Sequence, residues 1–406
     1  MSLIIRNARV LTLSVPGGER PRRGKALREL GIIERGDVLV EGDKISGVGP
    51  KVEVPAGAEV IDAGGRVLMP GFVDGHTHAC WAGQRVDEWE QRISGVPQKE
   101  ILQAGGGLMA TVRAVREATP KQLAANLKPR LEAMLHGGTT TVEIKSGYGL
   151  TTEAELKMLR AIQRAAHEWP GTIVPTALLG HAFEGGLDDY AKMVVKDMLP
   201  EIAREFPGIT IDANCDRDAW SVEACVRLFE KARKHHSLRV HADQFQSLGM
   251  VTEAIRLGAR SVDHLEASTK EDLLLLAASR TFGVILPCTG LHLNQRWARA
   301  GFFAESGGAV ALATDCNPGT SPTHSMPLAI ALAVRFAGLT PAEAIVAATV
   351  NGAALLGLGD RGTIEPGQRA DLILLHHKDE RQLAYELGGN PVDLVLCAGQ
   401  RIVSPA

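Results

Sequence analysis

The sequence predicts an α/β protein, with a (β/α)8 TIM-like barrel and a small β-sandwich domain formed by both ends of the chain. Across residues 66–356, short apolar segments alternate with helical segments, which is typical of parallel strands joined by helices. Residues 1–65 and 357–406 contain short strand-like runs, and neither region is long enough to form a sufficient hydrophobic core alone. We therefore expect the two ends to combine into one domain, with the barrel inserted between them.

Eight candidate strands in the central region have largely apolar interiors, as expected for parallel strands that are buried on both faces. They span residues 72–78, 139–145, 172–181, 209–214, 238–243, 261–266, 282–287 and 309–315. Eight strands in alternation with helices are what a closed (β/α)8 barrel requires. The active site of such a barrel lies at the carboxyl ends of its strands, so the polar residues there are the candidates for function.

Local signals predict where several helices and one hairpin begin. A Ser or Thr followed three residues later by an acidic or amide side chain is a capping box. This pattern occurs at residues 119–122, 152–155, 268–271 and 340–343. In the first and the last of these, proline follows the threonine and favours the first helical turn. Residues 38–48 carry a Gly-Asp pair between two strand-like runs, which predicts a β-hairpin.

Composition and charge exclude several classes of protein. The formal net charge of -3 gives no electrostatic reason to expect binding to nucleic acid or to an anionic membrane. Six scattered cysteines without a Cys-x-x-Cys pair indicate reduced thiols rather than a disulfide framework. The sequence shows neither a signal peptide nor an apolar run that is long enough to span a membrane. We therefore expect a soluble cytoplasmic protein, with a homodimer as the default assembly.

Histidines and an aspartate cluster at the ends of the predicted strands. The first strand ends with His76 and His78, which point the same way because side chains alternate along an extended segment. By itself, a His-x-His pair is more often structural than a metal ligand. The later strand ends add His241, His264 and Asp315. Three neutral imidazoles and one carboxylate suit a zinc-like ion with one open position.

The motifs at these strand ends resemble those of the amidohydrolase superfamily of metal-dependent hydrolases. They are Phe-Val-Asp-Gly-His-Thr-His at 72–78, His-Ala-Asp at 241–243, Asp-His-Leu at 263–265 and Ala-Thr-Asp at 313–315. Further segments are similar to the imidazolonepropionase family within it, namely residues 82–88, 105–113, 141–150, 155–160, 241–244 and 315–323. The resemblance covers nearly the whole chain.

This resemblance implies hydrolysis of the cyclic amide of 4-imidazolone-5-propanoate to N-formimidoyl-L-glutamate, a step of histidine degradation. It implies one divalent metal ion, with zinc first and iron as the alternative, held by His76, His78, His241 and Asp315. Asp315 is the predicted general base, and His264 is predicted to orient the water and polarise the ring carbonyl. The substrate is expected to be a small heterocycle that carries a carboxylate. The positions that match substrate contacts are Arg85, Tyr148, His181, Gln244, Asn317, Gly319 and Thr320.

Two basic residues have alternative interpretations. Arg85 can hold a carboxylate with the fork of its guanidinium, or it can form a surface ion pair with Asp87 or Glu88. Lys145 lies on the second predicted strand, whereas some amidohydrolases bridge two metals with a carboxylated lysine on the fourth. We therefore expect one metal ion, and we expect Lys145 to be buried against a carboxylate such as Glu143.

Two segments depart from the family pattern. Gln98 stands where the family usually has an aromatic residue, and residues 287–293 lack the aromatic-rich run that tends to follow the seventh strand. One alternative is therefore a related amidohydrolase or an aminoheterocycle deaminase that acts on a different small nitrogen heterocycle. Another is a catalytically inactive barrel used for binding or assembly, although the intact set of histidines and aspartate argues against it.

Overall fold

The computed structural model describes residues 2–294 and 296–402, whose strands form two eight-stranded sheets. The strands are β1 (Ser2–Leu11), β2 (Ile32–Glu41), β3 (Lys44–Gly49), β4 (Glu59–Asp62), β5 (Val67–Pro70), β6 (Phe72–Asp74), β7 (Thr139–Lys145), β8 (Thr172–Gly180), β9 (Thr210–Cys215), β10 (Leu238–Ala242), β11 (Ser261–His264), β12 (Phe282–Ile285), β13 (Ala309–Leu312), β14 (Leu372–Leu375), β15 (Val392–Cys397) and β16 (Gln400–Ile402).

Helices cover the barrel sheet and connect its strands. They are α1 (Val86–Ile93), α2 (Gln98–Gln103), α3 (Leu108–Glu117), α4 (Pro120–His136), α5 (Thr152–Glu168), α6 (Leu187–Met193), α7 (Leu199–Glu205), α8 (Val222–Ala232), α9 (Met250–Leu257), α10 (Lys270–Ala277), α11 (Pro287–Leu293), α12 (Ala300–Glu305), α13 (Met326–Phe336), α14 (Pro341–Ala347), α15 (Val350–Leu355) and α16 (Gln382–Tyr385). None of the described helices is both long and apolar enough to cross a membrane.

Strands β6 to β13 pair in sequence order, and every pair is parallel. The ring closes just beyond the two outer strands. There the His78 amide donates to the Cys316 carbonyl at 2.9 Å, and the Asp315 amide donates to the His76 carbonyl at 3.0 Å. The predicted (β/α)8 barrel is thus confirmed. Its first and last strands are shorter than expected, so the residues after Asp74 and Leu312 follow irregular paths toward the centre.

The strands from the two ends of the chain lie in one mixed sheet, in the order β16-β15-β14-β5-β1-β2-β3, with β4 paired to β1. Alternate residues of these strands face two different cores, because side chains alternate along a strand. On one face, Leu372 and Leu374 pack into a small core formed by residues of the terminal strands. On the other face, Ile373 and Leu375 pack into the core of the barrel. The β unit built from both chain ends is thus a single sheet, one face of which rests on the barrel.

The predicted local signals are partly confirmed. The hairpin joins β2 to β3, and Thr119 and Thr340 open α4 and α14 with capping boxes. Two predicted caps are wrong by one residue. Helix α5 is capped by Thr151, whose side chain accepts from the Ala154 amide, and α10 is capped by Thr269 with Asp272. In each case an adjacent Thr offers the same hydroxyl, and only the path of the preceding loop selects between them.

All six cysteines are buried and free, in agreement with the expectation of reduced thiols.

Candidate metal centre and active site

The carboxyl ends of the barrel strands open into a cavity of about 560 Å³. Nearly all of the predicted site residues line it. These are His78, Arg85, Tyr148, His181, His241, Gln244, His264, Asp315, Asn317, Gly319 and Thr320. His76 lies directly below the cavity floor and is fully buried. Gln98 and Leu293, from the two segments that depart from the family pattern, also line the wall.

Four of these residues bring their donor atoms together at the cavity floor. The Nε2 atoms of His76 and His78 each lie 3.5 Å from Oδ1 of Asp315. The Nε2 atom of His241 lies 3.3 Å from that of His78. Donors bound at about 2.0–2.1 Å around a tetrahedral zinc ion are separated by about 3.3–3.4 Å, so this spacing suits a divalent cation. In addition, His76 Nε2 is buried without a hydrogen-bond partner among the described residues.

Carboxylates behind two of the histidines orient their rings. His76 Nδ1 lies 2.6 Å from Asp263, and His241 Nδ1 lies 3.1 Å from Asp212. A proton on each Nδ1 donates to the carboxylate and leaves Nε2 with a lone pair that faces the site. Burial lowers the pKa of His76 well below its ordinary value, and the nearby Lys145 cation adds to this effect. The ring is therefore neutral, as a metal ligand must be.

Two buried cations hold these carboxylates in place. The ammonium of Lys145 donates to Glu143 at 2.9 Å and to Asp212 at 2.7 Å. Arg239 donates to Asp263 at 2.6 Å. The expectation that Lys145 pairs with Glu143 is confirmed. The sequence did not predict the roles of Asp212, Asp263 and Arg239 behind the histidines. A signal for them existed, since all three are charged residues inside apolar strands. Such charges are rarely buried unless they are paired.

His264 has an unusual backbone conformation and two carboxylates near its ring. Its φ of 90° places it in the left-handed region, which is strained for this residue type. Burial alone would lower its pKa, but the carboxylates of Glu266 and Asp315 outweigh burial and raise the pKa to about 9. His264 can also group with His76 and His241 as a possible ligand set. The other possible set groups His76 and His78 with Asp315.

The two oxygens of Asp315 have different surroundings. Oδ1 faces the histidines, whereas Oδ2 accepts a hydrogen bond from the Thr289 hydroxyl at 2.6 Å. Burial raises the pKa of Asp315 above its ordinary value. Thr289 was not singled out in the sequence, and it lies in the segment 287–293 that departs from the family pattern. A carboxylate with one oxygen on the donor cluster and the other at the cavity wall is suited to accept a proton there.

Tyr148 and His181 form one side wall of the cavity. The Nδ1 of His181 lies 3.0 Å from the Gly147 carbonyl, to which it donates, so Nε2 is left as an acceptor. Burial lowers the pKa of His181 to about 3 and therefore keeps the ring neutral. The ring stacks on His78 at a centroid distance of 5.1 Å. This wall offers an acceptor and a phenolic hydroxyl to a planar heterocycle.

The loop that carries Tyr148 is fixed by the carboxylate of Glu155. Glu155 accepts from the amides of Gly147, Gly149 and Leu150 at 2.7–2.9 Å. This explains why the predicted 152–155 capping box does not form, because its glutamate points into the protein. No single sequence motif reveals such a contact, since it depends on the fold of the loop.

The loop after β13 is stabilised by Asn317, whose Oδ1 accepts from the amides of Gly319 and Thr320 at 2.9 and 2.8 Å. The Asn317 side chain is thus engaged within its own loop. A Cβ atom at Gly319 would lie 2.4 Å from Arg85 Nη1, so a side chain at this position would have to displace the guanidinium. The loop that follows Asp315 therefore contacts Arg85 through Gly319.

Arg85 lines the same cavity as His78 and His241. Its Nε and Nη2 donate to Glu88 at 2.8 and 2.5 Å. The ion pair considered from the sequence therefore exists, but both side chains are nearly buried and Arg85 lines the cavity. A donor cluster and a guanidinium in the same cavity fit a ring with an acidic side chain.

A parallel barrel whose strand ends present three histidines and an aspartate defines a class of hydrolase. The model of the "Amidohydrolase family" matches residues 67–402, and the protein belongs to this family. It is 45% identical over 383 residues to the imidazolonepropionase of Deinococcus radiodurans, a match that covers 94% of this chain and 96% of that one. It is 42% identical to the imidazolonepropionase of Chloroflexus aggregans, over 99% and 98% of the two chains. Within the amidohydrolases, the chain therefore belongs with the imidazolonepropionases.

Solved structures support the fold more broadly. The N-isopropylammelide isopropylaminohydrolase of Burkholderia multivorans matches with a TM-score of 0.68 and 19% identity, over 98% of this chain and 97% of that one. A triazine hydrolase variant matches with a TM-score of 0.73 and 17% identity, over 99% and 94% of the two chains. At these identities the likeness establishes the shared fold.

Proposed function

We propose that this protein hydrolyses 4-imidazolone-5-propanoate to N-formimidoyl-L-glutamate, a step of histidine degradation. The observation that carries the proposal is the cavity itself, with four converging metal-type donors at its floor and Arg85 in its lining. The similarity to relatives named imidazolonepropionase over nearly the full chain supports the same substrate.

The ligands of one divalent ion would be His76, His78, His241 and Asp315, with zinc as our first choice and iron as the alternative. When bound, such an ion polarises a carbonyl and lowers the pKa of water toward 7. Support for this set comes from the spacing of its donors and from the unpartnered Nε2 of His76.

Two residues would assist ring opening, Asp315 by transferring a proton and His264 by donating a hydrogen bond. Asp315 accepts a proton from the water that adds to the ring carbonyl, and it returns that proton to the nitrogen as the C–N bond breaks. His264 donates a hydrogen bond to the carbonyl oxygen, where negative charge develops. The carboxylates of Glu266 and Asp315, which raise the pKa of His264 to about 9, support this role.

The other polar residues of the cavity would position the substrate. His181 accepts a hydrogen bond from a ring N–H, and Tyr148 and Gln244 complete the polar contacts of the ring. Arg85 binds the propanoate carboxylate through the part of its guanidinium that Glu88 does not occupy. In the loop after β13, Asn317, Gly319 and Thr320 would close the wall beside the substrate.

The decisive experiment is an ultraviolet assay of imidazolone propanoate consumption by metal-replete protein. Loss of the imidazolone absorbance with formation of N-formimidoyl-L-glutamate is the expected result. No turnover by protein that binds metal stoichiometrically would contradict the proposal.

A second candidate is hydrolysis or deamination of another small nitrogen heterocycle. Gln98 and Leu293 favour this second candidate, because both line the cavity and both come from the segments that depart from the family pattern. A panel of cyclic amides and amino-heterocycles in the same assay separates the two functions by kcat/KM.

We also propose that the protein acts as a cytoplasmic homodimer without a nucleic-acid or membrane partner. Sedimentation velocity on the purified protein tests the oligomeric state, and a single species with the mass of one chain would contradict it.

A further inference from the structure

Helix α1 and the residue before it direct two arginines into the lining of the cavity. Arg85 stands at its start, and Glu88 and Arg92 follow at spacings that place all three on one face. Arg92 donates through Nη2 to Glu88 at 2.8 Å, beside the two bonds from Arg85. The Gly107 amide donates to the other oxygen of Glu88 at 2.8 Å. One carboxylate thus anchors two guanidinium groups.

These three side chains carry a net positive charge in a largely buried place. The exposed fractions are 11% for Arg85, 24% for Arg92 and 7% for Glu88. Burial alone would raise the pKa of Glu88, but hydrogen bonds from Arg85 and Gly107 and the charges of both arginines lower it. Glu88 is therefore ionised and neutralises only one of the two cations. The structure leaves one positive charge for a ligand to match.

Both arginines also meet the loop that follows Asp315. Arg92 donates through Nη1 to the Gly319 carbonyl at 3.3 Å, and Arg85 packs against the Cα of the same glycine. Among the described residues, the protein bonds of Arg85 use Nε and Nη2, so Nη1 remains available. Both side chains line the same cavity wall. Two guanidinium groups thus lie beside Gly319. The loop that carries Gly319 begins at Asp315, a member of the donor cluster.

We propose that Arg92 is the second cation of a carboxylate subsite formed with Arg85, and that this subsite makes the protein specific for heterocycles with an ionised acidic side chain. The inference deepens the proposed function and rests on it for the identity of the ring. A neutral side chain at this point leaves the excess positive charge unmatched in a partly desolvated place, and that loss disfavours its binding. Arg92 is thereby a specificity-determining residue that sequence motifs did not single out.

Equilibrium binding of a matched ligand pair tests the subsite without turnover. The pair is 3-(imidazol-4-yl)propanoate and its primary amide, neither of which has a ring amide to hydrolyse. Calorimetry on metal-replete protein gives the ratio of the two affinities. We expect the wild-type protein to prefer the acid by about ten- to a hundredfold, the range for a hydrogen-bonded charge. We expect Arg92→Gln to reduce this ratio about tenfold or more.

Two further variants serve as an intermediate case and as a control for the affinity ratio. Arg92→Lys keeps the charge but loses the planar fork, so its ratio should lie between those of the wild-type protein and Arg92→Gln. It also replaces Arg92→Gln if that variant does not fold. Arg113→Gln is the control, because Arg113 is exposed on α3 and contacts the backbone of Gly105 outside the cavity. Its ratio should equal that of the wild-type protein.

The outcomes separate the subsite from the proposed function. If Arg92→Gln weakens the acid and the amide equally, Arg92 only supports Glu88 and the subsite is wrong. An unchanged ratio in Arg92→Gln also overturns it. If the wild-type protein does not consume imidazolone propanoate but the ratio depends on Arg92, the subsite stands and the proposed function fails.

Discussion

His76 Nδ1 lies 2.6 Å from Oδ2 of Asp263, and both side chains are fully buried. Asp263 is held in turn by Arg239 at 2.6 Å. The carboxylate thus selects the tautomer in which His76 Nε2 is the lone-pair donor toward Asp315. The geometry of the candidate metal centre depends on a residue that does not contact the cavity.

Asp263→Asn should therefore weaken metal binding without removing a ligand. An amide accepts the His76 proton less strongly and leaves Arg239 with Glu143 as a charge partner but without Asp263, so we expect metal affinity to fall about 10–100-fold. Competition with a chromogenic chelator measures this. The exposed Asp189→Asn is the control and should bind metal as the wild-type protein does. Unchanged affinity in Asp263→Asn would show that His76 is oriented by other contacts.

His241→Ala removes one of the four proposed ligands. We expect loss of most of the bound metal and of nearly all activity, because three donors from two strand ends hold an ion poorly. Atomic absorption on dialysed protein gives the metal content. The matched control is His235→Ala, a surface histidine that should keep both properties. Stoichiometric metal with normal turnover in His241→Ala would mean that the ligand set is wrong.

Asp315→Asn and His264→Asn separate the two proton-handling roles. Asparagine at 315 keeps one coordinating oxygen but cannot accept a proton, so metal content should fall partly and kcat about 10²–10⁴-fold. Asparagine at 264 should slow turnover while metal content stays nearly unchanged. Metal content and kcat are measured on the same samples. If Asp315→Asn retains substantial activity per bound metal and His264→Asn is inactive, the general base is His264.

Lys145→Met should destabilise the barrel strongly. It leaves Glu143 and Asp212 buried without their shared cation, and breaking such a buried network costs about 3–5 kcal/mol of unfolding free energy. Urea unfolding followed by circular dichroism measures the change. Lys192→Met, at an exposed pair with Asp189, should change stability by less than about 0.5 kcal/mol. Equal stability of the two variants would contradict this account of Lys145.

Glu155→Gln should disturb the wall formed by Tyr148 and His181. A single amide oxygen cannot accept all three backbone amides of residues 147–150, so we expect a stability loss of about 1–3 kcal/mol and a raised KM. Steady-state kinetics and thermal unfolding test both effects. The control Glu153→Gln changes an exposed glutamate in the same first turn of α5 and should alter neither. A normal KM in Glu155→Gln would show that the loop holds its shape without this carboxylate.

The sequence by itself determined the architecture and the residues at its strand ends. Continuous apolar segments in alternation with helices predict parallel strands, and parallel strands bring their carboxyl ends to one edge. His76, His241 and Asp315 could therefore be expected to meet although they are far apart in the chain. The segment 72–78 also predicted that His76 and His78 point the same way, because side chains alternate along an extended segment.

Only the tertiary structure decided how those residues are oriented and charged. Asp212, Asp263 and Arg239 lie in different strands, and their pairing depends on register across the barrel, which no local pattern encodes. The same holds for Arg92, which meets Glu88 within one helix but reaches Gly319 only because the loop after β13 folds back over the cavity. Burial then sets the charge states, because the free energy of a charge depends on the groups that surround it in space and not on its neighbours in sequence.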